Sequence, residues 1–143
     1  MSLRGAAVAA TAAAALAAVS VPAGAVGVRI TALRVVRADT RTPVAPPYRR
    51  DVAYAYLVTY RITGAGTLTV SRRAVVRTAG GALIARIAPP AAHGRAGDYF
   101  ASARIPVGPA DPATTYTLSY RVTVRGAHRA TAAAARALRL VFR

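Results

Sequence analysis

The sequence predicts an all-β fold: a seven-stranded antiparallel sandwich of two sheets, preceded by the short helix of a signal peptide. Three observations lead there. Two-residue alternation of apolar and polar side chains dominates the chain, and no window shows a convincing 3.6-residue period. The alternating runs are rich in Val, Ile, Thr and Tyr. Gly and Pro clusters separate them at intervals suited to short strands, and seven such strands pack as two facing sheets.

The first segment, residues 1–25, is read as an address rather than as part of the fold. Arg4 is its only charge, Ala6 to Val21 is uncharged, and Pro22-Ala23-Gly24-Ala25 ends with small residues where signal peptidase reads. Cleavage is expected after Ala25, leaving a β-sandwich domain over residues 26–143. The alternative is a membrane anchor by an uncleaved signal. The apolar run is 16 residues and mostly Ala, shorter than a spanning helix of roughly 20. The protein is thus expected to be secreted or held in the cell envelope, with no transmembrane segment after signal cleavage.

The strands follow in order. The first is expected over Val28 to Arg37. Val28 and Ile30 share one face, and Leu33 and Val35 take up the other parity, so a bulge or change of sheet belongs near Ala32. Ala38 to Arg50 is a loop stiffened by Pro43, Pro46 and Pro47. The second strand, Val52 to Thr63, aims Val52, Tyr54, Tyr56, Val58, Tyr60 and Ile62 at the core. Gly64-Ala65-Gly66 turns the chain into the third strand, Thr67 to Arg77. Gly80-Gly81 turns it again into a short fourth strand, Ala82 to Ala88, ended by Pro89-Pro90. Ala91 to Gly97 reads as a flexible connection. The fifth strand covers Asp98 to Ile105, and Pro106 to Pro112 is a crossing. In the sixth, Tyr116, Leu118, Tyr120, Val122 and Val124 alternate with Thr117, Ser119, Arg121, Thr123 and Arg125, giving one greasy and one wet face. The seventh, Ala130 to Phe142, competes with a short helix over Ala130 to Arg139 on propensity alone. Pairing with the sixth strand favours the strand, because the sixth would otherwise expose an edge.

Composition bounds the chemistry. The 143 residues hold 20 basic residues, all Arg, against four acids, all Asp, for a formal charge of +16. There is no Cys, Lys, Glu, Asn, Gln or Trp, and 37 residues are Ala. Disulfides, thiolate metal sites, cysteine nucleophiles and glutamate acid–base catalysis are excluded. Asp39, Asp51, Asp98 and Asp111 lie apart at loops or strand starts, suited to turn hydrogen bonds rather than to paired-carboxylate or calcium chemistry. His93 and His128 fall in separate loops without a third strong ligand, and no Ser sits in a nucleophile turn. No catalytic, cofactor or metal residues are assigned, no cofactor is expected, and the protein is read as not an enzyme.

Just before the sixth strand, Pro112-x-Thr114-x-Tyr116 resembles the tyrosine-corner motif of fibronectin type III domains and of the wider immunoglobulin-like sandwiches. The resemblance implies that Tyr116 packs its ring in the core while its hydroxyl bonds upstream backbone. It also leaves Tyr54 or Tyr56 to fill the space of the family's core Trp. Some adhesive relatives carry Arg-Gly-Asp between the last two strands. Here that stretch is Arg125-Gly126-Ala127-His128, so no adhesion role carries over.

Arg is the one functional signal. If the third, sixth and seventh strands share a sheet, its outer face gathers Arg77, Arg121, Arg125, Arg139 and Arg143, plus one of Arg72 and Arg73. Such a surface attracts polyanions, since guanidinium groups pair with phosphate and carboxylate. The expected partners are anionic cell-wall polymers, polysaccharide or lipid headgroups. No nucleic-acid motif is present, so sequence-specific nucleic-acid recognition is not expected. The leading reading is a secreted, non-enzymatic structural or binding module. The alternatives are a small secreted hydrolase or metal-handling protein, and a subunit that adds to a partner's sheet edge.

Overall fold

The computed structural model describes residues 25–143. The expected signal segment and its helix therefore lie outside the described residues, apart from Ala25. What is described is an all-β sandwich of eight strands in two antiparallel sheets. They are β1 (Gly27–Arg37), β2 (Tyr54–Thr63), β3 (Leu68–Thr78), β4 (Leu83–Ile87), β5 (Ala92–Gly94), β6 (Gly97–Arg104), β7 (Thr115–Arg125) and β8 (Thr131–Val141). The small sheet has the order β1-β2-β6. The large one runs β4-β3-β7-β8, with β5 also on β3.

The eighth strand, against seven expected, is β5. Ala92-His93-Gly94 lies in the stretch read as a flexible connection, yet it pairs with Leu68–Val70. β4 covers the other half of the same β3 edge, pairing with Ala74–Arg77. Pro89 and Pro90 stand between the two short strands, where the missing N–H groups stop a continuous ladder. The helix weighed over Ala130 to Arg139 does not form. That stretch is strand, bonded to β7 along its whole length, and tertiary pairing overrides the Ala propensity.

Alternation sorts the faces. In β7, Tyr116, Leu118, Tyr120, Val122 and Val124 are all buried while Ser119, Arg121 and Arg125 are exposed. In β1 the register against β2 slips between Ile30 and Ala32, so Thr31 is the extra residue that swaps parity. One apolar core lies between the sheets and contains no buried polar or charged residue. One end of it is aromatic: Tyr48, Tyr54, Tyr116 and Phe142 meet with ring centroids 5.2–6.1 Å apart. Tyr116 is fully buried, and its hydroxyl donates a 2.8 Å hydrogen bond to the Pro112 carbonyl. The chain end is tied down here, as Tyr48 N–H donates to the Val141 carbonyl and Arg143 N–H to that of Tyr48.

Candidate polyanion-binding face

The register of the large sheet fixes which side chains share its outer face. In the first row Arg77 of β3 and Arg139 of β8 flank Thr117 of β7. The next row holds Arg86 of β4, Val75, Ser119 and Ala137. In the third, Arg73 stands directly opposite Arg121, with Ala135 beyond. Ser71, Thr123 and Ala133 make the fourth row. In the fifth, His93, Thr69, Arg125 and Thr131 lie side by side, with Thr69 Oγ1 and His93 Nδ1 3.4 Å apart. From the first row to the last is eight residues, roughly 27 Å at about 3.4 Å per residue.

The face thus carries Arg73, Arg77, Arg86, Arg121, Arg125 and Arg139 among Ser, Thr and Ala side chains with Val75 and His93, and no acid. Of the expected cluster, Arg77, Arg121, Arg125 and Arg139 are brought together. Arg143 is not among them. It keeps the outward parity but lies past the end of β8, in a shallow cleft with Arg49, Arg50, Asp51 and Pro109. Of the pair left open, Arg73 points out. Arg72 shares the parity of Val70 and Ala74, stands opposite Val122, and turns inward. Arg86 was not in the expected cluster. It joins because β4 pairs with β3 and sets Arg86 opposite outward-facing Val75, while the one-residue bulge at Ile84 lies beyond it.

The four acids explain why the charge stays uncompensated there. Asp39 accepts both Nε and an Nη of Arg37 at 3.0 and 3.1 Å. Asp51 does the same with Arg49 at 3.0 and 2.7 Å, and Asp98 with Arg61 at 2.8 and 3.1 Å. Each of these carboxyls is held below the usual carboxylate range, first by its Arg hydrogen bond. Asp111 accepts from Gly108 N–H at 2.7 Å and closes a turn. The expected turn role is right for Asp111 and half right for Asp39, which also accepts from Thr40 N–H. Asp98 sits at a strand start as expected, but its carboxylate pairs across the small sheet with Arg61 rather than closing a turn. All four acids are placed away from the outer face of the large sheet.

The small sheet shows the contrast. Arg29 and Arg61 also stand opposite each other, and Asp98 completes that row. Its outer face carries Arg29, Arg34, Arg61 and Arg104, so one acid offsets part of the charge. Like charges directly opposed on a sheet destabilise it. On the small sheet a carboxylate relieves the opposition, and on the large sheet nothing among the described residues does. Beside Arg73 and Arg121, the gap between β4 and β5 opens a recess lined by Ser71, Arg72, Thr123, Ala88, Pro89 and Ala91. Guanidinium and hydroxyl donors line one concavity, which is the donor set that phosphate, sulfate and carboxylate groups accept from.

No group of three or more His and Asp side chains is placed to hold a metal among the described residues. No helix among them is long and apolar enough to cross a membrane. No family model matches the sequence, and no curated protein matches it. Among solved structures the chain is similar to the C-terminal domain of wzt, with a TM-score of 0.62 at 13% identity. The match covers 84% of this chain and 75% of that one. At that identity the likeness shows the fold, an all-β sandwich.

Proposed function

We propose that this protein is an exported binding module whose large sheet docks anionic polymer of the cell envelope through its outer face. The observation that carries this reading is the placement of charge: six Arg on one face, with every acid spent elsewhere. The Arg donors are spaced over five rows of the sheet. That geometry suits a repeating chain of phosphate, sulfate or carboxylate groups better than a single small molecule. Binding draws on release of condensed counterions, so it weakens steeply with salt. The proposed setting is outside the membrane, after removal of residues 1–25, and the product isolated from culture is expected to begin at Val26.

The test compares two variants of equal charge on a dextran sulfate matrix. One replaces Arg121, Arg125 and Arg139 with Ser. The other replaces Arg29, Arg34 and Arg104, on the opposite face. The first is expected to elute at clearly lower salt than the second, and its salt slope to fall by roughly one per Arg lost. Equal elution of the two variants would show that net charge alone holds the polymer, and the reading fails.

A further inference from the structure

Arg72 occupies the third inward position of β3, between Val70 and Ala74 and opposite Val122. It is the one Arg of β3 that points between the sheets. Its Nε is enclosed and has no hydrogen-bond partner. Its charge acts on the hydroxyls of Tyr56, Tyr60 and Tyr120 and partly offsets the upward push that burial gives each of them. Arg72 as a whole is half-buried and its guanidinium donates to the Tyr60 hydroxyl, but a neutral hydroxyl supplies no counter-charge.

The guanidinium borders a cleft of about 110 Å³ at the open edge between β5 and β6. Tyr60, Ile62, Val70, His93, Tyr99 and Phe100 line it with Arg72, and no acid does. Tyr60 and Tyr99 stack with centroids 5.8 Å apart and planes 19° from parallel. The Tyr99 hydroxyl donates to the Arg95 carbonyl, which pins that ring. At the mouth, Phe100 is 72% exposed, the largest exposure of any big apolar side chain among the described residues.

We infer that this cleft is a second binding site, for a carboxylate carried on a ring. The guanidinium fork supplies the charge and the paired donors that a carboxylate accepts. At about 30 Å³ per water, the volume admits a carboxylate and one or two attached carbons. The ring then stays at the mouth, where Phe100 borders the cleft. A monoanion suits walls that include Ile62 and Val70, since a dianion costs more to strip of water. Arg72 also lines the recess of the outer face, but Arg121, Arg125 and Arg139 do not line this cleft.

Two ligand sources share this chemistry, an aromatic acid and a uronic acid at a polysaccharide end. Sodium benzoate and sodium D-glucuronate represent them, with benzamide and glucose as neutral controls. The readout is the Arg72 Nε–H signal in ¹H–¹⁵N spectra of the whole domain. At least one acid is expected to shift that signal saturably, and which one does so identifies the source. The neutral controls are expected to leave it in place. Arg72→Met is expected to weaken binding at least about tenfold, the size of a charged hydrogen bond. Phe100→Ala is expected to weaken it a few-fold. The Arg121, Arg125 and Arg139 to Ser variant is expected to bind the acid as the unaltered protein does. The inference is overturned if neither acid shifts the signal saturably, or if Arg72→Met binds equally well.

Discussion

Arg73 and Arg121 stand directly opposite each other on neighbouring strands, with no carboxylate in their row. Their Cα atoms are then roughly 5 Å apart, and the opposition costs stability. Replacing one of them with an acid separates fold from function. Arg121→Asp is expected to raise the unfolding free energy by about 0.2–1 kcal/mol at low salt, as a cross-strand pair forms. The same change is expected to lower the salt at which dextran sulfate releases the protein. A variant that loses stability and keeps its retention contradicts both halves.

Tyr116 joins the aromatic end of the core to the chain upstream of β7. Tyr116→Phe keeps the ring and its T-shaped contact with Phe142 but removes the hydroxyl that reaches Pro112. The carbonyl then loses its partner in a partly buried place. Urea unfolding is expected to show a loss of about 1–2 kcal/mol with an unchanged slope. No change in midpoint would mean that water replaces the hydroxyl.

Leu118 of β7 is fully buried, opposite Val76 and Leu138. Leu118→Ala leaves a void between close-packed sheets, and a loss of about 2–5 kcal/mol is expected. Thermal unfolding followed by circular dichroism measures it. A shift within error would mean that the sheets close over the gap.

Asp39, Asp51 and Asp98 each have a folded pKa below the unfolded one, through their Arg hydrogen bonds. The stabilisation from such a group is fully present above the unfolded value of about 3.9 and fades as pH falls through the folded value. Stability is therefore expected to be level in this respect from about pH 5 upward and to drop below about pH 4. Asp98→Asn is expected to shrink that acid-side drop. An unchanged acid limb in the variant would assign the drop to other groups.

The sandwich was legible because alternation survives nearly everywhere. The parity change at Ala32 located the Thr31 bulge, and the alternation of Tyr116 to Val124 located the core face of the large sheet. β5 was not legible. Ala92-His93-Gly94 has no β-branched residue, and its strand geometry comes from β3, which offers an open edge there. Arg72 was a conflict between two rules. Parity through Val70, Arg72, Ala74 and Val76 puts it inside, and its charge argues for outside. The backbone register won, which left a cation where solvation alone would not place one. The pairings of Asp39, Asp51 and Asp98 were also hidden, although two of the three partners are only two residues away.

Along β8, Ala133, Ala135 and Ala137 keep the outer face no taller than a methyl group between Thr131 and Arg139. A rail of that kind has guide posts on one flank and nothing to stop a chain from moving lengthwise. A polymer resting on it gains no fixed position from any single unit. Affinity would rise with the number of repeats in reach and ignore how the molecule terminates, so long chains would be held and short fragments would slip away.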